Sequence, residues 1–182
     1  MVYPSPMVSD RISLRKLELE DIPRTTSWLA QPEIGEIMGY LPKSYLHQVE
    51  WFKKTIHDES RHIFAICDAS GVHVGNVALG NIDWIDRNAS LSLFIANTEN
   101  RRKGYGRLAV DMILQFAFER LNLHRVYLRT SKKYPGAIQF WTSCGFVKEG
   151  ILRQHKFQFG DYEDKIIFGM LREEYNAKKI GY

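Results

Sequence analysis

The spacing of apolar positions divides the chain into short elements. "RISLRKL" (11–17) alternates apolar and polar residues and predicts a strand. "LELEDIPRTTSWLAQ" predicts a short helix, with Pro23 near its first turn, where a missing N–H is tolerated. "SYLHQVEWFKKTIHD" sets Leu46, Val49, Phe52 and Ile56 at helical spacing, predicting an amphipathic helix buried on that face and capped by Ser44. "HIFAICD" (62–68) and "VHVGNVALGNIDW" (72–84) flank a turn at 69–71 and predict a hairpin. "RNASLSLFIA" (87–96) alternates into the next antiparallel strand. Leu108, Met112, Leu114, Phe116, Phe118 and Leu121 belong to a strongly apolar helix of about four turns. "HRVYLRT" (124–130) predicts a strand, and Pro135 opens the short helix "PGAIQFWTSC". "FVKEGILRQHKFQFG" and "DYEDKIIFGMLREEY" predict a closing strand pair around Gly160 and Asp161.

This order predicts a single α+β domain over 1–182. The strand–helix–strand unit at 89–130 is a βαβ crossover, which puts residues 98–106 at the carboxyl end of a strand and the amino end of a helix. Composition changes little: 182 residues, 45% hydrophobic and 25% charged, suit one globular domain. No apolar run approaches the ~20 residues that span a bilayer, and the first residues lack the apolar core of a secretory signal. Two cysteines, Cys67 and Cys144, in no metal-ligand spacing point to a reduced, cytoplasmic setting. Six histidines stand at no zinc-motif spacing, so no metal is expected. The net charge of +4 is spread among interspersed acids, so a nucleic-acid partner is not expected, an RNA- or ribosome-associated protein being a reading that net charge alone carries; the lack of a long apolar run leaves no membrane partner expected. A local basic site suits a phosphate-bearing small molecule.

That site is "TENRRKGYGRLAV" (98–110). The first turn of a helix carries unpartnered N–H groups and a partial positive charge, where an anion sits readily. Gly104 and Gly106 allow close approach to the backbone, and Arg101, Arg102 and Lys103 add charge-assisted contacts. A pyrophosphate is the natural guest. The spacing is neither a Walker loop nor G-x-G-x-x-G. The plain alternative is a tight turn that merely starts a helix.

"RRKGYG" (101–106) resembles R/Q-x-x-G-x-G/A, the acyl-CoA pyrophosphate loop of the GNAT acetyltransferases. "GNVALGNIDWIDRNASLSLFI" is similar to their central strands, and "GAIQFWTSCGF" to their A-I-x-x-Y-x-x-x-G-F helix and turn. "EGILRQHKFQFGDYEDKIIFGMLREEY" resembles the last hairpin of the branch that contains the ribosomal-protein-alanine and spermidine N-acetyltransferases. The resemblance implies the GNAT fold, a mixed and mostly antiparallel sheet of about seven strands with about four helices. It implies acetyl-CoA as co-substrate and direct acetyl transfer to a primary amine within a ternary complex. Phe94, Ile95 and Ala96 would hold the pantetheine arm between strands 89–96 and 124–130. An amide at the end of the first of these strands would polarise the thioester carbonyl. Arg101, Arg102, Lys103, Gly104, Tyr105, Gly106 and Arg107 would take the phosphates, with Ala137 and Phe140 alongside the cofactor.

Three positions depart from the family pattern: Trp141 replaces a Tyr that serves as acid, Tyr134 an Asn that contacts the cofactor, and Ser90 a Glu that serves as base. The base is then Asp83, Glu36 or solvent, and Tyr134 is the nearest phenol acid. Plain packing for Tyr134 and Trp141, and surface charge for Asp83 and Glu36, are the bland alternatives, and Cys144 is read as a buried small hydrophobe. The amine site is expected between residues 24–56 and the last hairpin. Trp28, Trp84, Phe157 and Tyr162 lead a set that also holds Tyr40, Trp51, Phe159, His155 and Lys156. Aromatic and basic groups suit a nucleotide-linked amino sugar or a peptide N-terminus better than a polycation. An acyl-CoA-binding sensor or interaction module with little activity is the alternative function, and a monomer or homodimer is expected.

Overall fold

In the computed structural model, which describes residues 7–39, 43–96, 98–100, 103–158 and 160–180, each alternating stretch becomes a strand. The chain runs β1 (Met7–Val8), β2 (Ile12–Lys16), a 3-10 turn (Leu19–Asp21), α1 (Ile22–Leu29), α2 (Pro32–Met38) and α3 (Tyr45–Thr55). It continues with β3 (His62–Asp68), β4 (His73–Asp83), β5 (Asn88–Ile95), a 3-10 turn (Thr98–Asn100) and α4 (Tyr105–Gln115), which winds on as a π-turn (Phe116–Arg120). Then come β6 (Arg125–Ser131), α5 (Pro135–Ser143), β7 (Val147–Gln158), β8 (Asp161–Leu171) and α6 (Arg172–Ile180). The eight strands form one mixed sheet in the order β1-β2-β3-β4-β5-β6-β8-β7. The expectation of about seven strands and four helices is corrected by β1, α2 and α6, segments too short or too polar to show a period.

Two compact units make up the chain: residues 1–82 with 92–113, and residues 83–91 with 114–182. In the first, β1 to β4 pair antiparallel, with Ser13 opposite Cys67 and Phe64 opposite Val77. Asp68 closes the β3–β4 turn by accepting from the Ser70 and Val72 amides, each at 3.0 Å, beside Gly71 at φ +81°. Inward residues Ile12, Leu14, Phe64, Ile66, Val77 and Leu79 are buried. Ser44 caps α3 by accepting from the His47 amide at 3.3 Å. The buried face of α3 differs from the one expected. Gln48 and Phe52 are buried and Val49 and Trp51 pack beside them, while Leu46 and Ile56 stay 65% and 57% exposed.

In the second unit, β6 pairs parallel with β5 from Asn88↔Arg125 to Ser90↔Tyr127 and antiparallel with β8 over its full length. The β7–β8 hairpin shifts register at Lys148/Gly150 and Leu152/Lys156. The end of the chain turns helical in α6, whose first turn holds Glu173 and Glu174 and whose last turn holds Lys178 and Lys179, matching the helix dipole. Arg172 donates to the Leu123 carbonyl, and the Tyr175 hydroxyl donates to Glu119 at 2.9 Å. Among the described residues, no helix is long and apolar enough to cross a membrane.

Candidate functional site

The strand end at 94–96 is held from one side by β4. A Cβ on Gly75 would lie 2.2 Å from the Phe94 carbonyl oxygen and 3.0 Å from Ile95 Cα, so only glycine allows this approach. The Ala96 amide donates to the Val74 carbonyl at 2.9 Å. Trp28 packs edge-on to Phe94, with ring centroids 6.1 Å apart, in a cluster with Ile34 and Ala96. Trp28, expected as a substrate contact, is only 8% exposed and packs in the core cluster with Ile34 and Ala96.

Around the glycine loop, Lys103 is exposed and donates through Nζ to Asn100 Oδ1 at 3.0 Å. Gly104 sits at φ +81°, in the left-handed region, and the nearest atom to a Cβ there is Arg11 Nη1 at 3.6 Å. Backbone handedness rather than crowding therefore calls for this glycine. The Leu108 amide reaches the Gly104 carbonyl at 3.1 Å, so α4 winds directly from it. Amides of that first turn have no partner within the helix. Tyr105 and Gly106 are half-buried, and Arg107 pairs with Asp111 at 3.3 Å. Arg101 and Arg102 lie outside the described residues.

The catalytic candidates fare differently. Asp83 is exposed, and its Oδ1 accepts from the Ile85 and Asp86 amides at 2.9 and 2.8 Å, so it holds the β4–β5 turn. Glu36 is half-buried on α2, three residues after the exposed Glu33. Tyr134 is the half-buried N-cap residue of α5, and its carbonyl accepts from the Ala137 and Ile138 amides at 3.0 and 3.2 Å. Ala137 and Phe140 are half-buried on α5. Trp141 is buried between Phe140 and Phe146, with centroids at 4.9 and 5.6 Å. Cys144 is buried as expected. Trp84, Phe157 and Tyr162 are exposed, and the last two stack at 5.1 Å on the β7–β8 hairpin. Tyr40 and Phe159 lie outside the described residues.

Two buried polar networks escaped the sequence reading. In the first unit, both Asp21 oxygens take the Arg15 guanidinium at 2.6 and 2.8 Å, and Asp21 also accepts from the Glu18 amide. Burial would raise the Asp21 carboxyl, but Arg15 and the amide hold it below its ordinary range. Buried His73 turns Nε2 toward the Gly75 carbonyl (3.0 Å) and Asn76 Oδ1 (2.7 Å). Its Nδ1 lies 3.2 Å from Asp21 Oδ1, and burial pushes the imidazole pKa down. In the second unit, Glu163 accepts from Ser131 Oγ at 2.7 Å and Lys133 Nζ at 3.0 Å. Lys165, 9% exposed, is pushed down by burial and by Lys156 and Arg129. These contacts join β2 to β4 and β6 to β8, which no local pattern announces.

Residues 14–167 match the family model for the acetyltransferase (GNAT) domain, so the chain belongs to the GNAT family. It is an acetyl-CoA-dependent N-acetyltransferase that acts on an amine. It is 35% identical over 126 residues to the spermidine N(1)-acetyltransferase of Vibrio cholerae, covering 69% of this chain and 72% of that one. The crystal structure of spermidine N-acetyltransferase from Vibrio cholerae in complex with CoA and spermine superposes with a TM-score of 0.88 at 30% identity, covering 92% of this chain and 99% of that one; spermidine N-acetyltransferase from that organism is also solved in a dodecameric state. A putative ribosomal N-acetyltransferase of Bacillus subtilis is 24% identical over 183 residues, covering 94% of this chain and 97% of that one.

Proposed function

We propose that this enzyme acetylates a primary amine of a linear polyamine of the spermidine type. The observation that carries this reading is the likeness, over nearly the whole chain, to a spermidine acetyltransferase solved with CoA and spermine. It replaces the expectation of an amino sugar or peptide N-terminus, which rested partly on Trp28, now found in the core. Glu33 and Glu36, three apart on α2 and so on neighbouring positions of one helix face, supply carboxylates of the kind that ammonium groups seek.

In this reading the loop from Lys103 to Arg107, with Arg101 and Arg102, takes the CoA phosphates, and Phe94 to Ala96 hold the pantetheine arm. Ala137 and Phe140 lie along the cofactor. The amine loses a proton, its nitrogen adds to the thioester carbonyl, and the CoA thiolate leaves. Both cysteines are buried, and burial raises the Cys67 thiol, which supports direct attack over an acyl-cysteine route. Glu36 and Asp83 are both proposed bases, Asp83 with its Oδ1 accepting from two amides of its turn. Tyr134 is the proposed acid, and the exposed Trp84, Phe157 and Tyr162 are proposed amine-side contacts. The family match over residues 14–167 supports reading the chain, 1–182, as a single N-acetyltransferase domain. Both cysteines are buried thiols outside any disulfide, which supports a cytoplasmic setting.

A panel of spermidine, spermine, a nucleotide-linked amino sugar and an alanine-terminated peptide tests the substrate class. Spermidine or spermine is expected to give the highest kcat/KM. Preference for the peptide or the sugar would overturn the proposal.

A further inference from the structure

Arg11 precedes β2, far in sequence from the glycine loop, yet its Nη2 donates to the Lys103 carbonyl at 2.5 Å. Its guanidinium lies 5.9 Å from the centre of the Tyr105 ring, and Lys103 Nζ lies at the same distance from that ring. Arg15, Arg107 and Arg125 each pair with a carboxylate. Among the described residues, Arg11 and Lys103 form no ion pair, and each is anchored instead to a neutral oxygen. Two cations are thus fixed at the start of α4, and Arg11 Nη1 stands 3.6 Å from where a Gly104 Cβ would be. A guanidinium offers five donors, and one contact to a carbonyl leaves further donors of the fork for another acceptor. A phosphate dianion completes such a cluster.

We propose that Arg11 is a cofactor-binding residue, contributing a direct charge-assisted contact to a phosphate group of CoA from outside the glycine loop. This rests on the reading of that loop as the CoA phosphate site. Docking on the Lys103 carbonyl holds the side chain in place before CoA arrives, so little of its rotamer freedom remains to be lost on binding.

Equilibrium titration of the full chain with CoA and with 3′-dephospho-CoA tests the assignment in the parent and in Arg11→Ala, Arg11→Gln, Arg11→Lys and Gly104→Val. Arg11→Ala and Arg11→Gln are expected to weaken CoA binding by about tenfold or more, as for loss of a hydrogen bond to a charged group. Arg11→Lys keeps the charge and should recover most of the affinity, which also covers the case of a poorly folded Ala variant. A deficit shared by both ligands assigns the contact to the pyrophosphate, and one confined to CoA assigns it to the 3′-phosphate. If Arg11→Gln binds CoA like the parent, the side chain only clamps the loop and the proposal fails. If Arg11→Ala also binds normally while Gly104→Val does not, Arg11 is dispensable and the loop reading survives. If Gly104→Val binds normally as well, the loop reading itself is wrong.

Discussion

Gly75→Ala is the sharpest perturbation of the strand proposed to hold the pantetheine arm. The new Cβ would lie 2.2 Å from the Phe94 carbonyl oxygen. An ordinary carbon–oxygen contact is about 3.3 Å, so β4 and the 94–96 segment must separate by about 1 Å. Overpacking of this kind costs about 1–3 kcal/mol. For a chain of this size that is a Tm loss of about 2–12 °C. Moving Phe94 and Ala96 also displaces the backbone that is proposed to meet the acyl arm, so acetyl-CoA affinity should fall with stability. Differential scanning calorimetry and acetyl-CoA titration read the two effects. Gly136→Ala is the matched control: a Cβ there meets nothing within 4 Å, inside helix α5, so it should be neutral or slightly stabilising. A Gly75→Ala protein with the parent's Tm and acetyl-CoA affinity would refute the claim that close packing positions this segment.

Burial depresses His73, and depresses His62 with help from Lys16, so the folded chain resists protonation that the unfolded chain accepts near pH 6.5. Stability should be full above pH 6.5 and fall as the pH drops below it, less steeply in His73→Gln; identical slopes in calorimetric scans would contradict this. The depressed Lys165 runs in the same direction at higher pH, gaining stability as the pH rises toward 10.5. Lys165→Met should therefore raise Tm at pH 7, with the gain shrinking toward pH 10.5; a uniform gain or a loss would count against it. Tyr134→Phe should lower kcat while leaving the acetyl-CoA Kd unchanged, and an unchanged kcat across pH 6–10 would remove it as the acid. Ser44→Ala should cost about 1 kcal/mol in denaturant unfolding, the usual worth of a helix N-cap; no loss would mean that water replaces the cap.

Much of the fold was legible because strands half-buried in a sheet must alternate, and "ISLRK", "HIFAICD" and "NASLSLFI" do. The seven residues of α2 include Gly35 and end at left-handed Gly39, too little length for a helical period to emerge. On α3 the apolar count pointed toward Leu46 and Ile56, yet the helix turns the amphipathic Gln48 inward beside Phe52. The glycine loop stands out in the sequence because its cations and glycines are contiguous. Arg11 does not: its contact spans 92 residues, and nothing beside it in the chain foreshadows the docking. Trp28 shows the converse limit, since an aromatic residue announces its bulk but not which way it faces. The proposed polyamine differs from the substrate expected from sequence for a related reason. A residue count weighed aromatic and basic side chains without knowing which ones face an amine.

The most direct test of the central claim is mass-spectrometric identification of the product when the purified chain is given acetyl-CoA and an equimolar mixture of spermidine, an amino-sugar nucleotide and an alanine-terminated peptide. The account predicts mono-acetylated spermidine as the dominant product, formed in step with free CoA and lost in Gly104→Val. Acetylation chiefly of the peptide or the sugar, or acetyl-CoA bound but never turned over on any amine, would contradict it.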